Sequence, residues 1–364
     1  MISPSLKKRI RETGWRHEPF RFLERHIRFM ECDYPGRQYP VSPGIEDPVH
    51  LAALEAMNGG YDHWRDLGFV AEIRQPCIIE DLHGMLINAE NDHVLPNEVL
   101  GVHRDVEVAL PFKFKYQRKK RTARRVEAGL VLHHHYGVNF THFYADVLSK
   151  LVYFYAKGFP KDIPVIVFRS YYEMPIFQSV IKGPNLRHLK FIIQEDDEYL
   201  LAEKLYVVKP LSLRKEGVLG LRDLCDPGND DRGGDRRIYL MRSGTYDRGL
   251  SNRDEVTRIA EGYGFEAVEP SVLDLREQIE IFQQTRYMFA EHGSAEINLF
   301  HRKVGTMSTA EFFPKDHIAP IFDVMSMHLG FTHFIFRAEE GEGGGPYQVP
   351  PETIHGWFKK LLST

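Results

Sequence analysis

Two short stretches of this 364-residue chain carry residue types whose spacing could do chemistry. One is the run Glu291-His292-Gly293-Ser294-Ala295, which follows an apolar stretch and is followed in turn by Asn298. Small residues where a strand turns into a helix let backbone N–H groups approach an anion. The helix N-terminus adds a favourable dipole, about 0.3–1 kcal/mol when exposed and up to about 2 when partly buried. His292 can donate to a phosphate or sugar oxygen, and Asn298 can cap the turn or contact the ligand. Plain strand-to-helix geometry produces such turns as well, so the run alone does not decide between the two. The other stretch is His133-His134-His135, which invites a metal reading. Consecutive strand residues point to opposite faces, so three in a row do not meet one ion.

These stretches need elements to position them. Residues 4–31 mix charged and apolar residues at helical spacing and predict one or two surface helices. Short β-type runs follow between 68 and 112, among them FVAEI, CIIEDL, GMLINA and VEVALPF. The basic run KFKYQRKKRTARR at 113–125 reads either as a solvated loop or as a contact for an anionic partner. Beyond it, Phe143, Val147, Leu151 and Tyr155 recur at spacing four, as one helical face requires. PVIVFR, KFIIQ and LYVVKPL then alternate with helix-length segments. A polar, Gly-rich stretch at 226–235 precedes a second series: RIYLMR, NRDEVTRIAEGYG, FEAVEP, LDLREQIEIFQQTR, YMFAEHG and STAEFFP. Strands separated by helix-length segments imply βαβ units and a largely parallel sheet. The expected organisation is an N-terminal domain over 1–208, a C-terminal Rossmann-like domain over 209–345 and a terminal loop and helix over 346–364. In open α/β sheets ligands sit beyond the carboxyl ends of the strands, which directs the search to the residues after RIYLM and YMFAE.

Composition narrows the class. A formal charge of −4 gives no general case for nucleic-acid binding. Cys32, Cys77 and Cys225 are odd in number and far apart, so neither a disulfide framework nor a structural zinc site is expected. No segment approaches the roughly 18 apolar residues of a spanning helix, and the charged N-terminus does not read as a secretory signal. The expectation is a cytoplasmic protein.

The order of motifs in the C-terminal half resembles glycosyltransferase family 61. That pattern has a strand ending in Ser-Arg, then an Arg and Asn-Glu, an H-G-A-G-L-x-N-x-L-F loop, a Gly turn and a Glu-bearing strand. The matching residues are Arg242, Arg248, Asn252 and Glu255, then Gln278, then His292, Gly293, Asn298 and Phe300, then Gly305 and Glu311. Upstream, GVNFTHFYADVL is similar to the family's N-Y/F-x-H-F-x-x-D-x-L block through Asn139, Phe140, His142, Phe143, Asp146 and Leu148. The likeness covers about 130–335. Three positions depart from it: Ala295 replaces the loop's second Gly, Glu296 its apolar Leu, and Met241 the Ser before Arg242.

The resemblance implies a GT-B-like α/β fold, with two Rossmann-like domains facing a cleft. It implies an inverting glycosyltransferase that uses a nucleoside diphosphate sugar and needs no metal or other cofactor. For the catalytic base, His142 and Asp146 stand out, because i,i+4 spacing puts both on one helical face. Imidazole titrates near neutrality, and Asp146 can orient it. For the departing diphosphate, Arg242 and Arg248 offer guanidinium groups that match phosphate oxygens. Asn252, His292, Gly293, Ser294 and Asn298 complete the expected donor site, with Glu311 suited to ribose hydroxyls. The acceptor is expected to be a glycan or a lipid-linked saccharide in surface polysaccharide or capsule biosynthesis. The run 113–125 would then meet an anionic membrane surface from the cytoplasmic side. The alternative is a non-catalytic glycan- or nucleotide-binding protein on the same fold.

Overall fold

The computed structural model describes residues 16–17, 27–33, 46–48, 51–52, 68–95, 113–210, 214–226, 233–242, 249–315, 317, 319–338 and 346–364. The chain divides into two compact units: Met1–Pro35 with Asp62–Ser212, and Gly36–Tyr61 with Leu213–Thr364.

Among the described residues, the first unit is built on a ten-stranded sheet. β1 (Arg16–His17) and β2 (Ile27–Asp33) are strands where the spacing predicts helix. β2 pairs antiparallel with β3 (Gly68–Ile73), so tertiary pairing overrides the local pattern. β4 (Cys77–Ile79), β5 (Leu86–Asn88) and β6 (His93–Val94) are joined by connections too short for a crossover helix and therefore run antiparallel. The expected strand VEVALPF lies outside the described residues.

The basic run opens as a helix, α1 (Lys113–Arg121), and not as a loop. Tyr116 is fully buried and its hydroxyl donates to Asp92 at 2.8 Å. Several of the cations are matched locally: Lys119 by Asp81 and Asp197, Lys120 by Asp92, and Arg124 by Glu198.

β7 (Arg124–Val131), β8 (Val165–Phe168) and β9 (Phe191–Gln194) are parallel. β10 (Leu200–Lys209) is the hub, parallel to β7 and antiparallel to β3 and β4. The sheet of this unit is thus mixed, and the predicted parallel pairing holds for β7 to β10. Between β7 and β8, Phe140–His142, a π-helical turn Phe143–Leu148 and Ser149–Ala156 run on as one helix, α2. Phe143, Val147 and Leu151 on it are fully buried, as their spacing predicts. Two short helices, α3 (Arg169–Tyr172) and α4 (Pro175–Ile181), lie between β8 and β9.

The second unit follows the alternation read from sequence. α5 (Lys215–Cys225) precedes β11 (Arg236–Leu240), α6 (Arg253–Gly262), β12 (Glu266–Val268), α7 (Leu275–Gln284) and β13 (Thr285–Glu291). A 3-10 helix Ser294–His301 leads to β14 (Ser308–Phe313), α8 (Ile321–His328), β15 (Thr332–Arg337) and α9 (Pro351–Leu362). The five strands are parallel in the order β12-β11-β13-β14-β15.

Side chains alternate across this sheet. Phe289, Ala310, Phe312, Phe334 and Phe336 pack with Val256, Ala260, Ile354 and Phe358 of α6 and α9. Phe313 and Ile335, of the other parity, pack with Val324 of α8. Asp47 and Glu46 tie their segment to this unit through Arg337 at 2.6 Å and Lys360 at 2.8 Å. The strand order reverses direction between β11 and β13, which is where such sheets bind ligands.

Candidate active site

In the second unit, the residues leaving β11 and β13 meet at that reversal. Arg242 Nη1 donates to the His292 carbonyl at 3.4 Å. A Cβ added at Gly293 would make only ordinary van der Waals contact, 3.6 Å from the Glu291 carbonyl oxygen and 3.8–3.9 Å from Arg242 Cγ and Cδ, so space does not demand glycine there. The backbone there is extended, with φ −176°, and imposes no need for glycine by itself.

Strand parity separates two neighbouring acids. Glu291 lies on the α6 side, where Arg253 grips it at 2.9 and 2.8 Å and the Tyr239 hydroxyl donates at 2.8 Å. His292 turns the other way and hydrogen-bonds through Nδ1 to Glu311, which is fully buried on β14. Glu311 also lies 3.3 Å from His333 Nε2, and His333 Nδ1 lies 3.1 Å from Ser326 Oγ.

Glu296 joins this group, completely buried. Its Oε1 accepts the Gly293 N–H at 3.0 Å. That amide is therefore already engaged, and the His292 N–H is spent on the Phe312 carbonyl at 3.1 Å. Burial, and then the neighbouring Glu311 carboxylate, hold the Glu296 carboxyl well above the usual range.

Two of the expected donor contacts are committed elsewhere. Asn298 is fully buried and its amide donates to Gln278 at 2.8 Å, while Gln278 donates to the carbonyls of Pro270 and Leu273. The amide of Asn252 donates to the Val349 carbonyl at 2.8 Å and to Glu255 at 3.1 Å. Ser294 opens the 3-10 helix beside His292. Arg248 lies outside the described residues.

In the first unit, His142 Nδ1 and Asp146 Oδ2 are 2.7 Å apart within α2. Both side chains are about one quarter exposed. Asn139 caps the helix start by accepting the amides of Thr141 and His142. When Nδ1–H donates to Asp146, Nε2 is left as a proton acceptor.

The three consecutive histidines lie just beyond the end of β7 and not in a strand, and each makes different contacts. His133 is buried against Phe168, ring centroids 3.6 Å apart, and burial pushes its pKa down to about 3. His135 meets His83 at 2.7 Å. His134, 2 % exposed, stacks on His142 at 5.4 Å with Nε2 3.8 Å from Asp146. Its Nδ1 accepts the Tyr136 N–H at 3.3 Å, which puts the ring proton on Nε2, towards Asp146. Gly84 is required here: its φ is +68° and a Cβ would lie 2.3 Å from that of His133.

Lys150 was not anticipated. It is 3 % exposed and donates to the His133 carbonyl at 2.6 Å. Burial pushes its pKa down to about 8, and the Asp146 charge pulls the other way. The signal was present in the sequence: His142, Asp146 and Lys150 repeat at spacing four.

Two sets of side chains could hold a metal by proximity, His134 with His142 and Asp146, and His292 with Glu296 and Glu311. Among the described residues, no helix is long and apolar enough to cross a membrane.

The family model described as Glycosyltransferase 61 matches residues 140–307. The match opens two residues before His142 and extends past the His292 turn, ending just before β14. No curated protein matches the chain.

Proposed function

Over residues 140–307 this chain belongs to glycosyltransferase family 61, and from that premise we propose an inverting GT-B enzyme that moves a sugar from a nucleoside diphosphate to a hydroxyl of a glycan or lipid-linked acceptor. The meeting of Arg242 with the His292 turn at the strand-order reversal carries this reading. A guanidinium beside an open turn is suited to the departing diphosphate. His142 Nε2 takes the acceptor hydroxyl proton, and Asp146 stabilises the imidazolium that forms. The acceptor oxygen forms its bond to the anomeric carbon from the side opposite the breaking bond to phosphate, and the electron pair of that bond leaves with the diphosphate.

Surface polysaccharide synthesis at the cytoplasmic side of a membrane is the setting we propose. Exposed Lys115, Arg118 and Arg121 on α1 form the part of the basic run offered to anionic headgroups. One observation favours a second reading, a binding protein without catalysis: Glu296 occupies the Gly293 amide.

A panel of UDP-, GDP- and CMP-sugars tests the proposal through melting temperature and nucleotide release. The expected outcome is that one nucleoside diphosphate raises the melting temperature and its sugar is turned over. Arg242→Ala should weaken that nucleotide, and His142→Ala should bind it and not turn it over. Binding without turnover in the wild-type chain favours the second reading. If no nucleotide raises the melting temperature, the donor site is wrong.

A further inference from the structure

In the first unit, five rings follow one another in contact just beyond the carboxyl end of β7. The centroids of His83 and His135 are 4.4 Å apart, those of His135 and Tyr136 4.5 Å, and those of Tyr136 and His142 5.3 Å. His142 stacks in turn on His134. Tyr136 alone of the five is exposed, at 41 %. Val138 in the same turn and Leu82 beside His83 are exposed as well. Three of the five large exposed hydrophobic side chains among the described residues therefore belong to the two turns that His83 and His135 join. Single exposed apolar side chains are ordinary, whereas a grouping of them points to a contact surface.

The turn that carries Tyr136 is held in place. The amides of Gly137 and Asn139 donate to the carbonyls of His134 and Tyr136 at 3.0 and 2.8 Å. The Tyr136 amide donates to His134 Nδ1 at 3.3 Å, and the Tyr171 hydroxyl donates to the His134 carbonyl. A Cβ at Gly137 would lie 2.4 Å from the Tyr171 ring, so only glycine lets the turn approach that closely. A ring presented on a backbone fixed in advance costs little further ordering when a ligand arrives.

We propose that Tyr136 is the floor of the acceptor subsite, on which a pyranose ring of the acceptor lies with its C–H face while one of its hydroxyls meets His142. The inference rests on the reading of His142 as the base and deepens it, because it narrows the acceptor to a saccharide ring.

A hydroxyl that gives its proton to His142 brings its neighbouring atoms over the residues flanking that imidazole, and Tyr136 is in ring contact with it. A pyranose has a face of C–H groups and a rim of hydroxyls. The C–H face is drawn to the negative face of an aromatic ring, and the rim stays free for hydrogen bonds. Stacking thus fixes the height and tilt of the sugar and leaves a hydroxyl at its edge for the base. An open-chain alcohol or a serine side chain has no such face to set down.

Saturation-transfer NMR on the full protein, with no nucleotide present, tests this with the methyl β-pyranosides of glucose, galactose and N-acetylglucosamine and with open-chain glucitol. At least one pyranoside should take up saturation, mainly through the C–H protons of one ring face, and glucitol should not. Tyr136→Ala should lower that signal at least fivefold, and Tyr136→Phe, which keeps the ring, should retain it. Octyl β-glucoside below its micelle concentration separates the two sources of such a ring. Tighter binding of the octyl form through the same face assigns a lipid-linked acceptor, and equal binding a free glycan. Absence of saturation in every pyranoside, equal saturation of glucitol, or an unaltered signal in Tyr136→Ala would each overturn the proposal.

The nucleotide panel reports on the transferase reading separately. If pyranosides bind through Tyr136 and no nucleotide raises the melting temperature, the platform stands and the donor reading fails. If a nucleotide sugar is turned over and Tyr136→Ala binds pyranosides as the wild type does, the platform fails and the transferase reading stands.

Discussion

Arg253, the first residue of α6, holds the carboxylate of Glu291, the last residue of β13, through two hydrogen bonds of 2.9 and 2.8 Å. Glu291 immediately precedes the His292 turn, so this pair anchors the strand end from which the turn departs. The Glu291 side chain is 1 % exposed and that of Arg253 25 %. Removing one partner leaves the other without its counter-charge. Arg253→Met should therefore cost about 3 kcal/mol of unfolding free energy, read as a lower denaturant midpoint. An unchanged midpoint would show that the pair does not hold the strand end.

The contact between His142 and Asp146 predicts a catalytic effect with little structural cost. His142→Ala and Asp146→Asn should each lower turnover by roughly 10²–10⁴-fold, with near-native circular dichroism and unchanged nucleotide affinity. Turnover within a few-fold of wild type in both would remove the pair from the chemistry.

Asn298 gives the opposite pattern. Its amide satisfies Gln278 inside the protein, so Asn298→Ala leaves a buried acceptor unpaired at a cost of about 1–3 kcal/mol. Nucleotide affinity per folded molecule should be retained. A selective loss of nucleotide affinity at full stability would instead place Asn298 against the donor.

Acid stability follows from groups of opposite sign. Burial pushes His133 and His301 down to about 3 from 6.5. The unfolded chain binds these protons near 6.5 and the native one only near 3, so stability falls as pH drops through that window. At pH 5, about 1.5 units into it, each histidine costs about 2 kcal/mol. Glu80 opposes them, because burial raises it to about 7 from 4.5 and its contribution grows as pH falls from 7 to 4.5. Glu80→Gln should therefore lose stability more steeply than wild type between pH 7 and pH 5, measured by denaturant titration. A parallel or shallower loss would contradict these shifts.

Much of the second unit was legible because its signals are local. Apolar runs, helix-length spacers and turn residues placed β11 to β14 and their helices close to where they form, and the two strand ends to search were named from them. The His142–Asp146 contact was legible for the same reason, since i,i+4 spacing is a property of any helix. Within residues 4–31, the described residues 16–17 and 27–31 were misread as helix because strand pairing with distant residues decided them. The basic run was left open between a solvated loop and a contact for an anionic partner, and its helix went unread because the carboxylates that match its cations, Asp81, Asp92 and Asp197, are remote in sequence.

The sequence by itself determined the order of elements, the alternation that splits Glu291 from His292, and the turn at which a ligand would be sought. Only the tertiary structure decided which side chains stand opposite one another. It set Glu296 against Glu311, put His134 beside Asp146, and spent Asn298 and Asn252 on the protein's own backbone and side chains. Those outcomes depend on strand order, register and helix docking, which are long-range pairings that no local spacing encodes.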